Sequence, residues 1–302
     1  MILTDHQSFS RIAENVYFIQ APGKGRFPFC NGFLFTGTET VLIDAGIEDD
    51  LIRELDAEIG IDTLIISHSH PDHIRSWDLL AHRKLLIPEQ TPDSVKDLIQ
   101  LGIRFTGAEE TGLRWANFAG KGLGITPLRE PDGRFNNGDI LDFGTIRIEA
   151  IHVPGHLNDH YCFFEHNSQT LITTDVDFTS FGPWYGNPEA DIKTFQTGIK
   201  KLMTLPYKCV CASHKPPVKG DATHLFNSFL SSFERQKNEI LELCNGGKTI
   251  DQITEASPFY KNKMPDKILQ NVFERNMALQ NIAILIEEGR VEEINGELFL
   301  VK

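Results

Sequence analysis

One short stretch constrains this chain more than any other: the apolar run Thr63-Leu64-Ile65-Ile66 leads directly into Ser67-His68-Ser69-His70-Pro71-Asp72-His73. A short apolar run of this kind reads as a buried strand, so the loop after it stands on a rigid base. Three imidazoles and a carboxylate packed this closely can turn to one side together. That is how a protein gathers lone pairs around a metal ion. Imidazole and carboxylate donors without thiolate suit Zn²⁺, with Fe or Mn as alternatives set by supply. A solvated histidine-rich loop is the competing reading.

The surrounding segments supply two kinds of scaffold. Residues 16–20, 32–36 and 40–44 are β-prone runs separated by Gly, Pro and Asn, and Leu51, Ile52, Leu55 and Ile59 have helix-compatible spacing before the 63–66 strand. Residues 93–135 scatter Gly102, Gly107, Gly112, Gly120, Gly122 and Gly124 among aromatics and read as a helix plus a long loop. Strands return at 139–143, 145–153, 161–165, 170–174 and 208–213, enough for two sheets sandwiched by helices. From His224 the pattern turns helical, with Leu225, Phe226, Phe229, Leu230 and Phe233 on one side. Gly246-Gly247 ends that helix and Thr249-Ile250-Asp251-Gln252 caps another. A long helical pattern follows Pro265, and Asn295-Gly296 supplies a hairpin turn between Val291–Ile294 and Glu297–Val301. The expected division is a catalytic domain over 1–222 and a helical, winged-helix-like domain over 223–302.

These motifs, in this order, resemble the metallo-β-lactamase superfamily over roughly residues 12–220. Val41-Leu42-Ile43-Asp44-Ala45-Gly46 matches the element before the histidine motif, His152-Val153-Pro154-Gly155-His156 the third motif, Leu171-Ile172-Thr173-Thr174-Asp175 the fourth, and Ser213-His214 the last histidine. The resemblance implies an α/β fold, a four-layer αβ/βα sandwich with the metal cluster between the sheets, here followed by the small C-terminal domain. It also implies that His68, His70 and His156 hold one metal, that Asp72, His73 and His214 hold a second, and that Asp175 bridges both. In a two-metal site the cations activate a bridging water, and Asp72 and Asp175 would fix its orientation. The sequence departs from the family's usual glycines after the histidine motif, reading His73-Ile74-Arg75-Ser76-Trp77.

Several positions have rivals close by. His152 competes with His156, but Pro154-Gly155 makes a turn that frees His156. Asp177 competes with Asp175, and His166 and His224 with His214. Asp44 either orients a ligand histidine through hydrogen bonds or is an ordinary turn carboxylate. His160 either supports the ligands from outside or is a polar residue starting a strand. In the aromatic stretch Phe178–Gly186, residues Phe181, Trp184 and Tyr185 form either the wall of a substrate pocket or a packed Ω-loop.

The expected activity is that of a dinuclear metal-dependent hydrolase, in which a metal-bridging hydroxide attacks a small acyl substrate such as a thioester or related ester. Alternatives are a metal-dependent phosphodiesterase or endoribonuclease, a mono-iron persulfide-dioxygenase-like enzyme, and a non-catalytic metal-binding module. A flavodiiron oxidoreductase would require Glu in place of His70. Twenty-nine basic against 42 acidic residues give a net charge of −13, which repels polynucleotides. The tail from residue 225 has 9 basic and 12 acidic residues, so it offers no phosphate-tracking surface of its own. Nucleic acid is therefore not the expected partner. Apolar runs are too short to cross a bilayer, no secretion signal is legible, and five irregularly spaced cysteines do not suggest a disulfide framework. A cytoplasmic protein is expected.

Overall fold

The computed structural model describes residues 7–301. The strands β1 (Phe9–Ala13), β2 (Val16–Ile19), β3 (Gly32–Thr36) and β4 (Thr40–Ile43) pair antiparallel in chain order, with one distorted turn, α1 (Pro22–Gly25), between β2 and β3. After α2 (Asp49–Glu58) the sheet continues in parallel through β5 (Thr63–Ile65) and β6 (Lys84–Pro88). The helices α3 (Leu98–Thr106) and α4 (Glu109–Asn117) then lead to β7 (Gly133–Phe135), the seventh strand of this sheet.

The second sheet has six strands, in the order β13-β12-β11-β10-β9-β8. These are β8 (Ile140–Asp142), β9 (Arg147–His152), β10 (Tyr161–Glu165), β11 (Thr170–Thr174), β12 (Cys209–Ala212) and β13 (Lys215–Lys219). Neighbours are antiparallel except β11 and β12, which α5 (Ile192–Leu202) connects in parallel. The tail comprises α6 (Thr223–Leu243), α7 (Ile250–Glu255), α8 (Lys267–Glu287) and a hairpin of β14 (Val291–Ile294) and β15 (Glu297–Leu300). No helix among the described residues is long and apolar enough to cross a membrane.

Alternation along the strands divides the interior into layers, because successive side chains point to opposite faces. Phe33, Phe35, Val41 and Ile43 of the first sheet meet Ile148, Ala150, Phe163 and Ile172 of the second in the central core. Their neighbours Leu34, Leu42 and Leu64 face outward onto Leu51, Ile52 and Leu55 of α2 and onto Phe105 and Trp115. On the far side, Val153, Phe164, Leu171 and Val210 pack against Phe195 and Ile199 of α5 and Phe226, Phe229 and Met277 of the tail. Helices thus cover both outer faces of two facing sheets, giving the four-layer α/β arrangement. Cys209 and Cys211 lie in the central core, where their strand alternation places them, and all five cysteines are free and buried.

The region 93–135 differs from its expected form, since two helices occupy much of it. Two of its glycines, Gly102 and Gly112, serve helix packing. A Cβ on Gly102 would lie 2.3 Å from the Gly112 carbonyl oxygen, so α3 and α4 approach more closely than side chains allow. The strands β1, β6, β7 and β13 were also absent from the sequence reading. β13 carries Pro216 and Pro217 at the edge of its sheet, where its register against β12 shifts and neither proline is a paired position.

Candidate metal centre

The strands that contribute to the site end at one edge of the sandwich. The loop after β5 carries His68, His70, Asp72 and His73; β11 ends immediately before Asp175; β12 leads to His214; and the turn after β9 presents His156. Gly155 is needed in that turn, because its φ is +117° and a Cβ would strike the Asp191 carbonyl at 2.5 Å. Thr174 holds φ at +44°, an uncommon state for a β-branched residue, while its hydroxyl donates to the Tyr161 carbonyl at 2.8 Å. This kink precedes Asp175 at the strand end.

Seven side chains converge in two adjoining groups. One nitrogen or oxygen each from His68, His70, His156 and Asp175 lie within 4.8 Å of one another, and the same holds for Asp72, His73 and His214. Asp175 stands between them. Its Oδ2 is 3.2 Å from His156 Nε2 and 3.7 Å from His68 Nε2, while its Oδ1 is 2.9 Å from His73 Nε2 and 3.6 Å from His214 Nε2. Asp72 Oδ2 is 3.4 Å from His214 Nε2.

Each imidazole is held from outside by one ring nitrogen and turns the other inward. Asp44 Oδ2 accepts from His73 Nδ1 at 2.7 Å, and the same carboxylate accepts the Ser67 N–H and hydroxyl, both at 2.8 Å. The Ser67 hydroxyl lies 3.0 Å from His68 Nδ1. The Trp184 carbonyl accepts from His156 Nδ1 at 2.8 Å, and the Gly25 carbonyl from His214 Nδ1. His70 has the Asn187 amide against its Nε2 at 3.0 Å. Arg104 braces the same loops, donating to Ser69 at 2.6 Å, Asp159 at 2.8 Å and Glu189 at 2.6 Å.

The inward atoms lack the partners that buried polar groups normally have. His73 Nε2 and Asp175 Oδ1 are buried without a hydrogen bond, although they face each other, and His70 Nδ1 sits 3.1 Å from His68 Nε2 and 2.8 Å from His156 Nε2. Converging nitrogens and carboxylate oxygens of this kind fit divalent-cation binding. Without a cation, protons must serve. Burial lowers the pKa of His68 and His70 well below the usual histidine range. For His214 the burial penalty is outweighed by Asp175, Asp72 and Asp177, which push it up to about 10. For Asp175, burial is outweighed by His73, His214 and His68, which hold it well below the usual carboxylate range.

The rivals His152, His166 and Asp177 are not among the converging groups. His152 Nε2 bonds the Asn158 carbonyl at 2.7 Å, His166 pairs with Glu149 at 3.2 Å, and Asp177 accepts the Thr179 N–H at 3.0 Å. His160 lies behind the His68 and His156 rings, donating Nδ1–H to the Val153 carbonyl at 2.7 Å, with its Nε2 2.8 Å from the Thr174 hydroxyl oxygen. Burial lowers its pKa to about 3.

Among the aromatics, Trp184 stands beside the cluster, its ring 5.1 Å from His70 and 5.7 Å from His156. Tyr185 does not line a pocket there. It is fully buried against Phe233, with its hydroxyl on Gln236 and Asn281 of the tail helices. Phe181 likewise packs on Tyr260 at 5.5 Å. Ser67, Arg104 and Asn187 went unrecognised in the sequence. Ser67 adjoins the histidine motif, whereas nothing local marks the other two.

A model of the metallo-beta-lactamase superfamily matches residues 25–214. The probable metallo-hydrolase YqgX of Bacillus subtilis is 25% identical over 213 residues, covering 67% of this chain and 92% of the relative. A hydroxyacylglutathione hydrolase of Francisella philomiragia is 22% identical over 268 residues, covering 85% and 87%. Among solved structures, a metallo-beta-lactamase family protein from Thermus thermophilus superposes with a TM-score of 0.72 at 18% identity, covering 96% of this chain and all of the other.

Proposed function

This chain belongs to the metallo-beta-lactamase superfamily, and from that membership we propose that it is a dinuclear metal-dependent hydrolase of a small acyl compound, a thioester or related ester. His68, His70 and His156 would hold one divalent cation, Asp72, His73 and His214 the other, and Asp175 both. The observation that carries this reading is the division of the Asp175 carboxylate, with Oδ2 toward His68 and His156 and Oδ1 toward His73 and His214. When bound, such ions supply an acidified water and a Lewis acid for a carbonyl oxygen, with Zn²⁺ favoured by the donor set and Fe or Mn able to use it.

The protein's own residues do the positioning. Asp175 holds its oxygens between the two groups and Asp72 one beside His214, where they would orient a water for attack. Asp44, Ser67 and the carbonyls of Trp184 and Gly25 keep the imidazoles aimed inward. The Trp184 ring packs beside His70 and His156, where it would offer a surface to the apolar part of an acyl substrate. The name of the Francisella relative supports the thioester class, and the net charge of −13 disfavours a polynucleotide.

Metal analysis of protein purified without added metal, followed by assays on thioesters, lactones, β-lactams, phosphodiesters and RNA, tests the reading. We expect about two divalent ions per chain and turnover greatest on a thioester or ester. Metal-loaded protein inert toward every acyl compound, or active only on phosphodiesters, would overturn it.

A further inference from the structure

The five inward-facing imidazoles are not alike. Four turn Nε2 toward the centre and set Nδ1 beside an oxygen: Ser67 Oγ for His68, Asp44 for His73, and the carbonyls of Trp184 and Gly25 for His156 and His214. His70 is reversed. Its Nδ1 faces His68 Nε2 at 3.1 Å and His156 Nε2 at 2.8 Å, and its outward Nε2 meets the Asn187 side chain at 3.0 Å. Asn187 is 1% exposed, and its Oδ1 is buried without a partner.

With the Asn187 Nδ2–H donating to His70 Nε2, the proton of a neutral ring must sit on Nδ1, where it points at two other ring nitrogens. A half-turn of the amide leaves its shape unchanged. It puts Oδ1 against His70 Nε2 and the amide N–H groups where Oδ1 stood, moves the ring proton to Nε2 and frees the Nδ1 lone pair. We infer that Asn187 is a positioning residue for the metal centre: its amide oxygen accepts the Nε2–H of His70 and so selects the tautomer that presents Nδ1 to a divalent cation. The inference rests on the ligand assignment proposed above.

The tail keeps this amide in reach. Asn276 of α8 donates to the Gly186 carbonyl at 2.7 Å, and Gln280 to the Tyr185 carbonyl at 3.5 Å. A Cβ on Gly186 would meet the Trp184 ring at 2.6 Å, so the segment Trp184–Asn187 has little room to shift. Through this segment α8 supports outer hydrogen bonds on both His156 and His70.

The test is Zn²⁺ affinity, measured by competition with a chromophoric chelator, for the wild type, Asn187→Leu and Asn187→Asp. Imidazole ¹⁵N NMR of the zinc-loaded wild type accompanies it. Leu fills the space without an acceptor and should weaken binding roughly 10–100-fold, whereas Asp accepts the same proton and should restore wild-type affinity. The spectrum should place the His70 proton on Nε2 and those of the other four rings on Nδ1. A Leu variant that binds as tightly as the wild type, an Asp variant that loses as much as Leu, or a His70 Nε2 without a proton would overturn the inference while leaving the ligand assignment intact. A wild type that binds no Zn²⁺ would overturn both.

Discussion

A single buried carboxylate, Asp44, satisfies the Ser67 N–H, the Ser67 hydroxyl and the His73 Nδ1–H together. Asp44→Ala leaves those donors buried and frees the His73 ring. Metal affinity at the group containing His73 should fall about 10–100-fold by chelator competition, and an unchanged affinity would mean that Asp44 only shapes the turn. Asp72→Ala removes an inward oxygen facing His214 at 3.4 Å and should lower metal content and turnover together. Full turnover in that variant contradicts its proposed role. At this scale the sequence was uneven. Asp44 and the histidines lie in short recognisable motifs, whereas Asn187 is separated by more than a hundred residues from the ring it touches and belongs to no pattern.

Elements matter because helices and loops hold the ligand segments in place. Gly102→Ala forces a Cβ to within 2.3 Å of a backbone carbonyl of α4, a contact that no rotamer change can relieve. The two helices must part, at about 1–3 kcal/mol, seen as a lower urea midpoint with an unchanged slope. Arg104 on α3 ties together Ser69, Asp159 and Glu189, with Arg104 9% and Asp159 0% exposed at the side chain. Arg104→Met would strand the Asp159 carboxylate and cost roughly 3–5 kcal/mol, whereas a loss well under that range would show that water reaches the carboxylate. The capping box at Thr249 and the Asn295-Gly296 hairpin were legible because their chemistry is local. The α3–α4 pair was hidden because glycines that permit close packing look, in sequence, like glycines that make loops.

For the whole molecule, metal and proton compete for the same interior. In the metal-free protein His214 is pushed up to about 10, whereas an unfolded histidine titrates near 6.5. A raised folded-state pKa stabilises fully below about pH 6.5, and that contribution is lost as pH climbs toward about 10. The Tm of the metal-free protein should therefore fall across this window, and a flat profile would argue against the proton. On the proposed ligand set a metal at His214 would have to expel that proton, so loading between those pH values should release protons and tighten as pH rises, measurable by calorimetry in buffers of different ionisation enthalpy. Loaded protein should melt higher than metal-free protein by an amount that grows with free metal concentration.

Periodicity, caps and the dense histidine motif determined the two-sheet architecture, the helical tail and the chemical class of the site from sequence alone, because each is written within a few neighbouring residues. Tertiary structure decided what those signals could not. It turned Tyr185 into the core and set His70 against Asn187. Each of these outcomes depends on the distance and direction between segments far apart along the chain, and only the packing of both sheets and the tail fixes such distances.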